Sequence, residues 1–221
     1  MKVCTDACLF GAYVADSIEK EHLNVTTCLD IGTGTGLLCL LLAQKCIAHI
    51  DAVEIELAAF EQAAGNFAQS PWKDRLHIFN EDINSFHTDK KYDCIISNPP
   101  FFEGDLKSNT AAKNTAKHDT SLTLPQLLTA VQSYLQPHGF FTALLPHHRV
   151  SYFIEEAEKR QLFLYKKIQV KQTAAHDYFR GILFFSRQQE EVTTEDIVIK
   201  QDAVNYTALF RQLLHAYYLH L

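Results

Sequence analysis

"TTCLDIGTGTGLLCLLLAQK", residues 26–45, packs three signals into one stretch. Residues 26–31 are β-branched or apolar except for Asp30, which suits a buried strand. Gly32, Gly34 and Gly36 then interrupt the run, and residues 36–45 continue as an apolar helix former. A strand that passes through a glycine turn straight into a helix is the first half of a βαβ unit. The rest of the chain repeats the alternation. "IDAVEI" (50–55), "RLHIFN" (75–80), "YDCIISN" (92–98) and "FFTALL" (140–145) read as strands, and residues 7–19, 57–69, 124–135 and 151–161 read as helices, the last with Ser151 at its N-cap. Alternation of this kind predicts an α/β fold with a mostly parallel sheet and helices on both faces. The order then changes. Residues 163–172 and 180–187 are two strands with no helix between them, so they predict an antiparallel hairpin on a seven-stranded, Rossmann-like sheet. One short strand near 196–200 and a helix over 205–218 complete the chain.

The 221 residues suit a single domain with small additions, here 1–25 as an N-terminal helix and cover, 99–121 as a substrate loop, and 163–221 as the C-terminal hairpin, strand and helix. The six cysteines form no C-x-x-C pair and sit mostly in apolar runs, which fits buried thiols of a reducing compartment. The eleven histidines show no ligand spacing, so no metal is expected. No uncharged apolar run reaches membrane-spanning length, and Asp6 breaks the weak imitation of a signal peptide, so a cytoplasmic protein is expected. Nothing in the chain fixes an oligomeric state; a monomer is expected.

Net charge is −6, but its distribution is uneven. Residues 1–99 hold 7 Lys+Arg against 14 Asp+Glu, whereas residues 100–189 hold 11 against 7. The basic surplus after residue 99 permits a phosphate-binding face.

Asp30 stands at the strand end just before the glycines. The spacing G-x-G-x-G departs from the G-x-G-x-x-G that seats a pyrophosphate on a helix N-terminus. A carboxylate there disfavours an anion and favours a ligand with a cationic amino group, which points to S-adenosylmethionine, with S-adenosylhomocysteine as product, rather than NAD. Glu54, with Ile55 beside it, ends the second strand, where a carboxylate can accept from both ribose hydroxyls. Asp82, with Ile83, follows the third, where a carboxylate can accept from the adenine amino group.

The fourth strand ends in "NPPFFEGD" (98–105). Pro99 and Pro100 cannot continue a ladder, so they stop the strand and fix its tip. Asn98 offers an amide oxygen, Pro99 a carbonyl without a local donor, and Phe101 a flat face. Two converging acceptors beside an aromatic ring suit a planar –NH2 group whose lone pair must be aimed at a methyl donor. Catalysis by such a site rests on positioning and preorganised dipoles.

"LDIGTGTG", Glu54, Asp82 and "NPPF" resemble the class I S-adenosylmethionine-dependent methyltransferases that act on amino groups. "MKVCTDACLFGAYV" at the start, "AKHDTSLTLPQLL" and the closing "YTALFRQLLHAYYLHL" resemble the bacterial tRNA1(Val) adenine-37 N6-methyltransferase family. The resemblance covers most of the chain. It implies a tRNA substrate, Thr5 and Asp6 near the methionine end of the cofactor, and Asn98, Pro99, Pro100 and Phe101 around the target adenine. Family members carry a further segment ahead of this signature, which here begins at Met1, so either a truncated chain or a misassigned start is implied.

An anticodon-loop base is already unpaired, so its extrusion costs less than from a duplex. Phe102 could stack on it beside Phe101, His118 could touch substrate, and Lys107, Lys113, Lys117, Arg149, Lys171 and Arg180 are candidate phosphate contacts. Guanine-N2 methylation of ribosomal RNA, methylation of a release-factor glutamine, and a binding module without catalysis are the competing readings.

Overall fold

The computed structural model describes residues 4–100 and 122–219. Helix α1 (Thr5–Lys20) precedes strand β1 (Thr27–Ile31), helix α2 (Leu37–Lys45), β2 (His49–Val53), α3 (Leu57–Gln69), β3 (Leu76–Phe79) and β4 (Tyr92–Ser97). After the undescribed segment come α4 (Leu124–Tyr134), β5 (Leu135–Pro146), α5 (Val150–Glu158), β6 (Phe163–Lys171), β7 (Tyr178–Ser186), β8 (Thr193–Val198) and α6 (Ala208–Leu214). All eight strands join one sheet in the order β3-β2-β1-β4-β5-β7-β6-β8. Strand β7 runs antiparallel to β5 and β6, and every other pair is parallel.

The expected doubly covered parallel sheet and terminal hairpin are therefore present, with two corrections. Among the described residues the sheet has eight strands, not seven, because the short strand expected near 196–200 is β8, which pairs in parallel with β6 from Lys166↔Thr193 to Lys171↔Val198. Ser151 lies inside α5 and does not cap it. A 3-10 turn, His147–Arg149, leads directly into that helix, and Arg149 takes the N-cap position.

Period-two alternation divides the core between the two faces. Cys28 of β1 and Cys94 and Ile96 of β4 pack with α1, α2 and α6; Leu29, Ile31 and Ile95 pack with α4 and α5. Phe10, Phe141, Phe153, Phe184 and Phe185 are all buried, and full burial of such a ring contributes about 2–3 kcal/mol. Phe141 and Phe185 are register partners across β5 and β7, with ring centroids 5.8 Å apart.

Polar side chains tie the elements together over long sequence distances. Asp93 Oδ2 accepts from the backbone N–H groups of Thr26 and Thr27 at 2.9 and 3.0 Å, which aligns the starts of β1 and β4. The Arg75 guanidinium donates to the carbonyls of Ala43, Cys46 and Ala48, at and just beyond the C-terminus of α2. These carbonyls have no partner from the helix ladder, so the cation satisfies them. Opposite them, at the carboxyl ends of the parallel strands, the loops gather. Open α/β sheets bind ligands at this edge.

Candidate active site

Three elements of the carboxyl edge build the site. The first is the glycine loop between β1 and α2. Gly32, Gly34 and Gly36 take φ values of +72°, +60° and +81°, a region that side chains other than glycine rarely adopt. At Gly36 a Cβ would lie 2.4 Å from Cε1 of Phe67, so the close packing of α3 on the loop also requires glycine. At Gly32 a Cβ would meet no atom within 4 Å. The backbone there faces open space.

Neighbouring side chains fix the loop. Glu54 is buried. Its Oε2 accepts from the Gly34 N–H at 2.8 Å, and its Oε1 accepts from the Glu56 N–H at 2.9 Å. Asn80 Nδ2 donates to the carbonyls of Glu54 and Ile55 at 2.9 and 3.2 Å, and Asn66 Nδ2 donates to the Thr35 carbonyl at 2.9 Å.

Asp30 lies beneath the loop, fully buried. Its Oδ2 accepts from the Thr33 hydroxyl at 2.6 Å and from the Cys39 thiol at 3.2 Å, while its Oδ1 has no protein partner. Burial pushes its carboxyl up to about 6; the bonds from Thr33 and Cys39 oppose that shift and the nearby Glu54 charge adds to it. Burial likewise pushes the Cys39 thiol well up, so it stays a neutral donor.

The second element is the end of β4. Ser97 Oγ donates to the Ile31 carbonyl at 2.8 Å and locks the end of β4 to that of β1. Asn98 follows. Its Oδ1 is buried and has no protein partner. In the register of the two strands Asp30 faces Ile96, so Asn98 lies one strand over and two residues further toward the edge. Continued alternation puts both on the α1–α2 face, a separation on the order of 8 Å. Two buried acceptor oxygens without a protein partner thus lie at the ends of adjacent strands on the carboxyl edge.

The third element is the start of α1. Asp6 Oδ1 accepts from the Ala7 N–H at 3.0 Å, and Asp6 Oδ2 accepts from Arg180 Nε at 2.7 Å. Arg180 is the register partner of Pro146, the last residue of β5, so this ion pair fixes the N-terminal turn of α1 at the carboxyl edge. Thr5 is exposed beside it.

Comparison with known proteins decides the family. Residues 3–140 match the family model of the methyltransferase small domain. A protein of Dyadobacter fermentans, named tRNA1(Val) (adenine(37)-N6)-methyltransferase, is 41% identical over 99% of this chain and 91% of its own length. A protein of the same name from Pectobacterium carotovorum is 36% identical over 99% of this chain and 88% of its own. The chain belongs to the tRNA1(Val) (adenine(37)-N6)-methyltransferase family.

Solved structures that share the fold are more distant in sequence. A "predicted O-methyltransferase" of Agrobacterium tumefaciens superposes with a TM-score of 0.72 over 95% of both chains at 13% identity. A glycopeptide N-methyltransferase solved with S-adenosylhomocysteine gives 0.58 over 80% of this chain and 86% of its own at 12% identity.

In this family member the sequence-derived candidates fall into three groups. Asp30, Gly32, Gly34, Gly36, Glu54, Asn98, Pro99 and Pro100 meet at the carboxyl edge. Asp82 also lies there, after β3; its Oδ1 accepts from Asn84 N at 2.9 Å and shapes the following turn. Ile55 is half exposed, whereas the Ile83 side chain is buried in the core with Phe86. Phe101, Phe102, Lys107, Lys113, Lys117 and His118 lie outside the described residues.

The remaining basic candidates are already engaged. Arg180 pairs with Asp6, Lys171 Nζ lies 4.4 Å from the Tyr178 ring centroid, and the Arg149 guanidinium lies 5.4 Å from that of Tyr152. Thr33, Cys39, Asn66, Asn80 and Ser97 support the site without having been singled out in the sequence. Asn80 carried a usable signal, because it ends an apolar run as Asn98 does. Among the described residues no cluster of His, Cys, Asp and Glu could hold a metal ion, and no helix is long and apolar enough to cross a membrane.

Proposed function

We propose that the chain transfers a methyl group from S-adenosylmethionine to the exocyclic N6 amine of adenine 37 in the anticodon loop of a valine tRNA, in the cytoplasm. The observation that carries this reading is the pair of buried, unpartnered oxygens, Asp30 Oδ1 and Asn98 Oδ1, beside a glycine loop that opens on one side. Buried polar atoms without partners are rare in native proteins and ask for a ligand.

The residues present fit the cofactor. Asp30 is the acceptor for its cationic end, with Thr5 and Asp6 in the N-terminal turn of α1 closing over it. Gly32, Gly34 and Gly36 bring backbone close to it. Glu54 has acceptor capacity beyond its two backbone bonds for the ribose hydroxyls. Asp82 and the Ile83 backbone take the adenine, with Ile55 against its face. When bound, S-adenosylmethionine supplies a methyl group on a sulfonium, an electrophile that needs only a well-aimed lone pair.

Aiming it is the task of "NPPF". The Asn98 amide oxygen and the Pro99 carbonyl accept the two N6–H bonds, which holds the amine with its lone pair directed at the cofactor side. The rigid Pro99-Pro100 tip keeps these dipoles in place before the reaction, and Phe101 is the platform for the target ring. No strong base is required, since the methylated nitrogen is acidic enough to lose its proton afterwards.

The test offers unmodified tRNA, ribosomal RNA, DNA and release factor to the protein with labelled S-adenosylmethionine and digests the labelled products. N6-methyladenosine from tRNA, mapped to position 37, is expected. Label confined to another acceptor overturns the substrate.

A further inference from the structure

One part of the carboxyl edge has no role in the site described above. Strand β7 begins at Tyr178, two residues beyond the Arg180↔Pro146 pair, so its ring stands on the rim of the sheet. The ring is partly exposed and belongs to neither hydrophobic cluster. It is nevertheless held firmly. Its hydroxyl donates to Asp196 Oδ2 at 2.6 Å, and Asp196 Oδ1 accepts from Gln169 Nε2 at 3.3 Å. The His147 ring lies 5.4 Å away at an interplanar angle of 30°, and Lys171 Nζ sits 4.4 Å from the ring centroid. Arg149 and the exposed Tyr152 follow His147 in the next turn.

An aromatic pair with a cation over one of its rings, fixed on the surface and belonging to neither hydrophobic cluster, offers the groups that receive an unpaired nucleobase. Asp196, the acid nearest the ring, is engaged by Tyr178 and Gln169, and Lys171 supplies the opposite charge next to it. By the strand register Tyr178 lies two strands from β4 and about four residues further out than Asn98, a distance on the order of 15 Å. That is too far for the target nucleotide itself. It suits a neighbour in the same loop.

Resting on the tRNA reading, we infer that His147 and Tyr178 form a second platform, on which an unpaired anticodon-loop nucleotide other than the methylated one stacks, with Lys171 beside its phosphate. The platform sets how the loop lies across the sheet edge. It therefore acts on RNA affinity and placement, and leaves cofactor binding alone.

The experiment measures binding of a valine-tRNA anticodon stem-loop, by fluorescence anisotropy, to wild-type protein, Tyr178→Ala, Tyr178→Phe and Asp196→Ala. Calorimetry with S-adenosylhomocysteine confirms that each variant is folded. Tyr178→Ala should weaken the RNA about 5- to 100-fold. Tyr178→Phe, which keeps the ring, should stay within about 2-fold, and Asp196→Ala should fall between them. 2-Aminopurine placed at each loop position in turn should identify one nucleotide, other than 37, that the wild type and Tyr178→Phe quench and Tyr178→Ala does not. A folded Tyr178→Ala that binds the stem-loop like wild type overturns the platform while leaving the methyltransferase reading intact. Wild-type protein that methylates no tRNA overturns that reading and the platform with it.

Discussion

The Gly34 amide donates to Glu54 Oε2 at 2.8 Å, so the acid at the end of β2 braces the glycine loop from the far side of the chain reversal. On the proposed reading one carboxylate has two tasks, holding the loop and receiving the cofactor's ribose. Glu54→Gln removes one of the two acceptors that Gly34 and Glu56 use. It should weaken S-adenosylhomocysteine binding about 10-fold, and Glu54→Ala should weaken it further, measured by calorimetry. An unchanged dissociation constant in the alanine variant would remove Glu54 from the cofactor site.

On the proposed mechanism Asn98→Ala deletes an acceptor directed at the reacting amine. Losing one such preorganised group costs roughly 100-fold or more in turnover. Cofactor affinity should hold, because on this mechanism Asn98 accepts from the target amine and not from the cofactor. Single-turnover methylation set beside cofactor titration separates the two effects, and activity within a few-fold of wild type would refute the mechanism.

Asp30 links the site to pH. Its folded carboxyl is raised to about 6, above the ordinary carboxylate range, so between about pH 4 and 6 the folded state holds a proton that the unfolded state has released. Stability of the cofactor-free protein should therefore fall as pH rises through this window. Asp30→Asn should melt higher than wild type at pH 7.5, and the gap should close toward pH 4.5. Cofactor binding should run the opposite way. A cationic ligand favours the ionised acid, so wild-type affinity should rise from pH 5 to 7 and level off, and the asparagine variant should bind weakly with no such rise. A flat melting difference across this range would show that Asp30 is not the group responsible.

The Asp6–Arg180 pair can be isolated by a double-mutant cycle. Asp6→Ala and Arg180→Ala should each loosen the first turn of α1, and the double variant should be hardly worse than either single. The pair is part-buried and charge-assisted, so a coupling of about 1–2 kcal/mol in thermal or urea unfolding is expected. Additive effects would mean that the two side chains act separately.

Gly36→Ala places a methyl group against the Phe67 ring in a backbone conformation suited to glycine. A loss of roughly 2 kcal/mol or more is expected by denaturant unfolding. Adding Phe67→Leu should restore part of it by opening space for the methyl group.

The parts of this molecule that were legible in its sequence are those written in local chemistry. Gly32, Gly34 and Gly36 announce a turn because few other residues tolerate their φ angles, and Asn98-Pro99-Pro100 announces a strand end because proline has no donor. What stayed hidden depends on residues far apart in the chain. Asp6 and Arg180 are separated by 174 positions, and nothing near either one signals the other. Thr33, Cys39 and Ser97 are small polar side chains whose roles appear only once β1, β4 and α2 are side by side. A strand near 196–200 was legible, but its earlier start and its place in the sheet were not, because "TTEDIV" buries little more than Ile197 and its pairing with β6 is a long-range contact. Of the basic candidates, Arg180, Lys171 and Arg149 lie among the described residues, and their engagement with Asp6, Tyr178 and Tyr152 could not be read from charge alone.

That eighth strand also changes how the molecule meets its own copies. Each open border of a sheet exposes unpaired backbone groups that another chain can copy onto. Here one border is β3, four residues long, and the other is β8, whose first four residues, Thr193 to Asp196, are exposed and include two acids. Without β8 the border would be β6, nine residues long with Ile168 and Val170 within it, a far better template for strand addition. The late, polar strand is thus a selvedge, a finished border that offers another copy little to pair with.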